Sequence, residues 1–303
     1  MESLPVASLA RPLSRLALGT LGFSPATRER DYALLDAWVA AGGTTIDTAH
    51  VYEDGDAERL LGQWLRDRPG MRERVVIITK GAHPDGERAR VTPADIAADL
   101  GDSIERLGGP VDLYLLHRDD PAIDVGELID ALDAHRRAGE LQAFGVSNWA
   151  LPRIEAANRY AAARGVPGIS CNSPHLSLAH QNQPPWPDCR SATDAESRAW
   201  HTRTGMLLLA WSAQAGGFFA GSNGDAARVY QNAANRERRS RAQELGRRIG
   251  HSANAVALAW VLAQPFPVVA IIGPHSVEHL QASLEALDVE LSADEMRWLN
   301  LEA

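Results

Sequence analysis

Short apolar runs alternate along this chain with longer stretches of helical spacing. Apolar runs at residues 16–18, 44–46, 75–79, 111–116, 143–146, 168–171, 207–210 and 268–271 have the length of buried strands. Between them, residues 32–41, 57–65, 93–107, 125–138 and 152–163 place apolar side chains three and four apart, which predicts amphipathic helices. Several helix starts are marked. Thr92 followed by Pro93 is a cap with proline at the first helical position, and Asp124 and Ser276 are apt caps. A strand followed by a helix, repeated along the chain, predicts parallel strands, because parallel neighbours need a crossover. Eight such strands close a barrel that side chains can fill. The pattern alone also permits an open doubly wound sheet. No low-complexity linker divides the chain, so the expectation is a (β/α)8 TIM barrel forming a single domain over residues 1–303. Two irregular stretches, 180–191 (rich in Pro and Gln) and 216–225 (rich in Gly), have the length of lids or binding loops, although plain surface excursions would look the same.

Composition narrows the picture. The chain is 45% hydrophobic and 23% charged, so its 303 residues can bury a core without metals or disulfides. A net charge of −9 argues against a nucleic-acid partner, which would call for a basic patch. It leaves room for an anionic cofactor held by local donors and helix ends. The two cysteines, Cys171 and Cys189, give neither metal spacing nor a disulfide framework, which fits a reducing compartment. Glu2, Arg11 and Arg15 interrupt the first residues, which lack the apolar run of a signal peptide. A cytoplasmic location is therefore expected. The longest apolar stretch, 253–272, is broken by Gln264, Pro265 and Pro267, and reads as a helix and a buried strand rather than a membrane span. The basic run 236–241, with Arg247 and Arg248, is interrupted by Glu237 and Glu244 and reads as a solvated helix face.

The candidate chemistry follows the strands. Asp47 ends the second apolar run, with Tyr52 just beyond. Lys80 ends the third, His117 the fourth, and Ser147-Asn148 the fifth. In a barrel these ends surround one mouth, where active sites of the fold lie. Singly, each residue has an ordinary structural role as a cap, a solvated charge or a packing group. On consecutive strand ends they make a coherent set. Hydride addition to a carbonyl needs a proton for the developing alkoxide. A tyrosine, with an ordinary pKa of about 10, stays protonated and can supply it. A neighbouring Lys80 ammonium is expected to lower that pKa. Asp47 would hold the lysine charged, and His117 would donate a hydrogen bond to the carbonyl oxygen.

The stretch Gly43-Thr44-Thr45-Ile46-Asp47-Thr48-Ala49-His50-Val51-Tyr52 resembles the signature of the aldo-keto reductases. Ile78-Thr79-Lys80, Leu115-Leu116-His117-Arg118, Gly145-Val146-Ser147-Asn148 and the run Ala255 to Leu262 leading to Ile271-Ile272-Gly273 match later blocks in order. The resemblance implies a (β/α)8 barrel that binds NADPH, less often NADH, without a Rossmann domain. No convincing G-x-G-x-x-G follows the first strand. It implies that Asp47, Tyr52, Lys80 and His117 form the catalytic tetrad, that Ser147 and Asn148 hold the nicotinamide carboxamide, and that Trp211 stacks on the nicotinamide ring. Gly19, Thr20, Ser173 and Ile272 belong to the same cofactor set. Ser212, Gln214 and Gly217 would line the pyrophosphate, and Gly273, His275, Ser276 and His279 the adenosine phosphate. The chain departs from the family at three places. Asn172 is followed by Ser173 where a Gln often stands, His275 replaces an arginine that grips the 2′-phosphate, and Ser283 replaces an Asn. NADPH remains the expected cofactor, with NADH possible.

The substrate expected is a small-molecule carbonyl compound. His50, Trp149 and Trp186 are candidate pocket residues, and Arg118 flanks the tetrad; aromatic walls with polar partners suit sugars, cyclic ketones and aromatic aldehydes alike. Three other readings stand beside reduction. The same groups would serve an NAD-dependent sugar or alcohol dehydrogenase, or a cofactor-binding regulatory subunit with little turnover. An unrelated barrel enzyme such as an isomerase would bind no nicotinamide at all.

Overall fold

The structure is a computed structural model that describes residues 1–302. Eight parallel strands close a barrel, with helices between them in sequence. Contacts group the chain into two compact units, Glu2–Ser173 and the residues from Pro174 onward, with Met1.

The first unit opens with a two-stranded antiparallel hairpin, β1 (Ser3–Leu4) and β2 (Leu13–Ser14). The barrel strands follow: β3 (Leu16–Gly19), β4 (Thr45–Asp47), β5 (Val76–Gly81), β6 (Val111–Leu116), β7 (Leu141–Ser147) and β8 (Cys171–Ser173). Between them lie α1 (Arg28–Ala40), α2 (Asp56–Asp67), α3 (Pro93–Leu107), α4 (Val125–Arg137) and α5 (Leu151–Arg164). Every residue of β5 and β6 is buried, as expected of parallel strands covered on both faces. The outward Thr79 hydroxyl donates to the buried Glu58 carboxylate of α2 at 2.5 Å, and Arg106 of α3 completes that pair at 3.1 Å. Gly145 of β7 is required by space, since a Cβ there would sit 2.5 Å from the Cys171 sulfur. Helix starts form where the sequence places them. Thr92 and Asp95 make a reciprocal capping box with Pro93 in the first turn, and the Asp124 carboxylate accepts Gly126 N–H at 2.7 Å.

The predicted strand over 168–171 is displaced to Cys171–Ser173. Its early amide is claimed by a side chain: Ile169 N–H donates to Asn158 Oδ1 at 2.7 Å, which takes it out of the ladder.

The second unit contains α6 (Ala195–Thr204), β9 (Leu207–Ala210), α7 (Asp225–Arg228), α8 (Ala233–Ile249), α9 (Ala253–Leu262), β10 (Val268–Ile272), α10 (Val277–Leu284) and α11 (Ala293–Leu299). Strands β9 and β10 pair in parallel, with Leu208 opposite Val268. The apolar stretch 253–272 is the buried α9 followed by β10, as its pattern predicts. Among the described residues no helix is long and apolar enough to cross a membrane. Two expectations need correction. Residues 216–225 are not wholly irregular, because a 3-10 helix spans Ala215–Ala220; its turn reverses at Gly216 and Gly217, whose φ of 59° and 81° favour glycine. The basic run 236–241 is not wholly solvated either. Arg238 is 7% exposed and donates to Asn235 Oδ1, one turn back on the inner face of α8. Segment 180–191 is tied to that region: Asn182 N–H donates to Val229 O at 2.8 Å, and Asn235 Nδ2 to His180 O at 2.7 Å.

Candidate active site

The first unit brings the four predicted catalytic residues together. Asp47 is the last residue of β4, Lys80 lies inside β5, and His117 follows β6 directly. The segment after β4 is laced to β5 by Thr48 N–H to Ile78 O and His50 N–H to Lys80 O, both 2.8 Å. This lacing carries Tyr52 over Lys80. Beyond Tyr52 the chain turns sharply, with Glu53 and Asp54 in the left-handed region at φ 48° and 52°.

Lys80 is the hub. Its Nζ lies 2.7 and 2.8 Å from the two Asp47 carboxylate oxygens, 2.8 Å from the Thr48 carbonyl and 3.5 Å from the Tyr52 hydroxyl. An ammonium has three protons, and three residues receive them. Asp47 and Lys80 are 2% and 3% exposed. Burial works against charge on Lys80, but Asp47 and Tyr52 hold its pKa above the ordinary lysine value. Burial likewise pushes the Asp47 carboxyl up, with Lys80 opposing. The contact geometry is that of a charged pair.

Lys80 pulls the Tyr52 pKa down, as expected, but the net shift is upward. Burial dominates and raises it, while Lys80 and Arg118 pull against the rise. Tyr52 therefore stays protonated. His117 goes the other way: burial first, then Lys80, Arg118 and His83, hold its pKa well below the ordinary value. Its ring is neutral and meets Tyr52 edge-on with centroids 6.0 Å apart. Its Nδ1 is buried without a hydrogen-bond partner. His83 packs against it at 4.9 Å, a neighbour that sequence reasoning missed because it lies three residues beyond Lys80 with no pattern to mark it.

Of the predicted cofactor residues, Ser147 ends β7 and Asn148 follows it. Ser147 Oγ donates to Ser173 O at 2.8 Å and accepts Asn148 Nδ2 at 2.9 Å; Asn148 holds a φ of 61°. Gly19 ends β3, and Thr20 N–H donates to Asp47 O at 2.9 Å while its hydroxyl is buried without a partner. Asn172 is the residue passed over. Its side-chain oxygen is buried and unpaired, next to the predicted Ser173. The signal was present as an amide between two small residues of β8.

The second unit carries the remaining set. Trp211 follows β9, bridges to His175, and its ring lies 5.1 Å from His175 and 6.1 Å from Trp186. Trp186 itself is 52% exposed. Ser212 has a φ of 51°, Gln214 Nε2 donates to Ser283 Oγ at 3.0 Å, and Gly217 accepts Ser222 N–H through its carbonyl. Ile272 ends β10 and is buried, whereas Gly273 and His275 are exposed. Ser276 caps α10 by accepting His279 N–H at 3.2 Å. Glu278 stands in the first turn of α10, and backbone N–H and the Ser276 hydroxyl hold its carboxyl below the ordinary pKa.

Two pocket candidates are engaged elsewhere. His50 Nε2 lies 3.0 Å from the Asp102 carboxylate of α3. Trp149 is 2% exposed, donates Nε1 to Arg118 O at 3.1 Å, and packs under the Arg153 guanidinium. Among the described residues no group of His, Cys, Asp and Glu suits a metal ion.

A closed parallel barrel with a buried Asp–Lys–Tyr cluster and a neutral histidine at its strand ends defines a class of oxidoreductase. The comparisons agree: the profile of the aldo/keto reductase family matches residues 15–300, and the chain belongs to that family. Members of the family use nicotinamide cofactors. Among curated relatives, 6-dehydroglucose reductase of Agrobacterium fabrum (strain C58) is 30% identical over 89% of this chain and 85% of its own length. The NADP(+) aryl-alcohol dehydrogenase of Phanerodontia chrysosporium is 26% identical over 92% of this chain and 77% of its own. Among solved structures, the thermostable aldo-keto reductase Tm1743, in complex with the inhibitor epalrestat, superposes with a TM-score of 0.78 at 25% identity, covering 99% of both chains.

Proposed function

We propose that this protein reduces an aldehyde or ketone to an alcohol, using NADPH and accepting NADH, with Tyr52 as the proton donor. The observation that carries the reading is the Lys80 ammonium, buried and shared among Asp47, Thr48 O and the Tyr52 hydroxyl.

The chain's own groups fit a nicotinamide. The unpaired oxygen of Asn172 is a ready acceptor for a carboxamide N–H, next to Ser147 and Asn148. On the family resemblance, Gly19, Thr20 and Ser173 join them, and Trp211, Ser212, Gln214, Gly217, Ile272, Gly273, His275, Ser276 and His279 are assigned to the rest of the cofactor. The bound dihydronicotinamide supplies a hydride. Tyr52 gives its hydroxyl proton to the carbonyl oxygen, and Lys80 stabilises the phenolate left behind. Asp47 keeps Lys80 charged and aimed. Neutral His117 orients the carbonyl oxygen through a ring N–H.

Tyr52→Phe tests this assignment. The variant should bind cofactor with unchanged affinity while turnover falls by roughly 10²- to 10⁴-fold. Retention of wild-type turnover would remove Tyr52 as the donor. Alcohol oxidation is a second reading, favoured by the aryl-alcohol dehydrogenases among the relatives. It runs the same contacts in reverse and needs Tyr52 as the phenolate.

A further inference from the structure

Arg118, next to His117, is a buried cation that forms no ion pair among the described residues. It is 7% exposed, and its Nη1 donates to the His117 carbonyl at 2.9 Å. Among the described residues no carboxylate lies within ion-pair distance of it. Several acids of the surrounding elements are already paired with other cations. Asp47 pairs with Lys80, Asp99 with Arg90, Asp102 with His50 and Arg106, and Asp119 with Arg153 at 2.7 Å. A buried charge left unpaired is costly, and this chain of net charge −9 has acids to spare.

The position of this cation gives it a use. Its field reaches Tyr52, His117 and His83. Trp149 donates to the Arg118 carbonyl and so fixes the backbone that carries the guanidinium. Lys80 is not available for a ligand anion, because Asp47, Thr48 O and Tyr52 occupy it. The guanidinium is a planar fork with five N–H donors, of which the His117 carbonyl takes one. A carboxylate matches that fork in shape and charge.

We propose that the substrate carries a carboxylate as well as its carbonyl group, and that Arg118 receives the carboxylate while Tyr52 and His117 hold the carbonyl oxygen. This rests on the reductase reading above and names the class of substrate: an oxo acid or a semialdehyde of a dicarboxylic acid.

The probes are 4-carboxybenzaldehyde and its neutral isostere 4-formylbenzamide. Binding is measured by calorimetry on NADPH-saturated Tyr52→Phe protein, which should hold aldehydes without reducing them. The carboxylate should bind on the order of 10- to 100-fold tighter than the amide, the range of a charged hydrogen bond. Adding Arg118→Met should bring the ratio close to one, and Arg118→Lys should restore part of it. With Tyr52 intact, the same preference should appear in KM rather than kcat. Equal binding of the two probes overturns the proposal. So does an Arg118→Met variant that weakens both probes equally, because that marks a packing role. Turnover of neither aldehyde counts against the reductase reading, and the titration still decides the anion site.

Discussion

Asp47→Asn probes the heart of the site. The substitution keeps the shape of the side chain and removes one negative charge 2.7–2.8 Å from the Lys80 nitrogen. At an effective dielectric of about 20, that charge is worth roughly 6 kcal/mol to the ammonium. Hydrogen bonds from Lys80 to Thr48 O and Tyr52 survive, so part of the loss is recovered. The sign follows from the balance at Lys80. Burial pulls its pKa down and Asp47 holds it up; without Asp47, burial wins. Wild-type Lys80 stays charged beyond the ordinary lysine pKa of about 10.4, whereas the variant should lose its charge at a lower pH than the wild type. A neutral amine no longer stabilises the Tyr52 phenolate, so reduction should slow on the order of 10²-fold at neutral pH and partly recover at low pH. The assay is kcat for NADPH-dependent aldehyde reduction from about pH 5 to 9, with cofactor affinity measured in parallel. Wild-type kcat in the variant, or a uniform loss with no pH dependence, would refute this account of Asp47.

Two further predictions concern the second unit. Glu278 places a carboxylate in the first turn of α10, whose cap Ser276 is expected near a 2′-phosphate, so Glu278→Gln should raise the NADPH-over-NADH ratio of kcat/KM by a few fold, the scale of one charge near a helix N-terminus; an unchanged ratio would detach α10 from the cofactor. Burial pushes His175 down to about 3, and burial with Arg238 and Arg198 pushes His180 down to about 4. Both rings stay neutral in the folded chain while the unfolded chain gains protons below about pH 6.5. Stability should therefore fall as pH drops from about 6.5 toward 3, and His175→Gln should flatten that slope in urea titrations at several pH values; a slope unchanged by the substitution would place the proton uptake elsewhere.

The periodicity of the chain carried most of the fold. Strand runs such as 111–116 and 207–210 are buried on all sides, so they read as unbroken apolar segments, and capped helices such as α3 announce their own starts. What escaped was set by side chains reaching across sequence. Asn158 captures the Ile169 amide and shortens β8, and Asn235 turns Arg238 inward. The clustering of Asp47, Tyr52, Lys80 and His117 was legible because each sits in or just beyond a strand, a place that topology fixes. His83 was not, because its packing against His117 leaves no trace in spacing, and Asn172 showed only as an amide between small residues, its unpaired oxygen being visible in the structure alone. The direction of the Tyr52 shift escaped for the same reason. A sequence shows that Lys80 is a candidate neighbour, but only packing shows that burial outweighs it.

That outcome bears on the direction of catalysis. A tyrosine whose pKa is raised by burial is an acid throughout the physiological range and a base only in alkaline solution. Reduction uses the protonated form, so its rate should stay level from about pH 6 to 9 and fall beyond the ordinary tyrosine pKa of about 10. Alcohol oxidation uses the phenolate and should climb with pH across that whole range. His117 does not blur the comparison, because its depressed pKa keeps it neutral at every pH in the series. Lys80 does not either, since Asp47 and Tyr52 hold its pKa above the ordinary lysine value. Initial rates in both directions, each at saturating cofactor, give the two profiles. A reduction profile that falls between pH 6 and 8 while oxidation rises over the same interval would mean that the proton donor titrates near neutrality. In that case the Lys80 ammonium, rather than burial, sets the acidity of Tyr52.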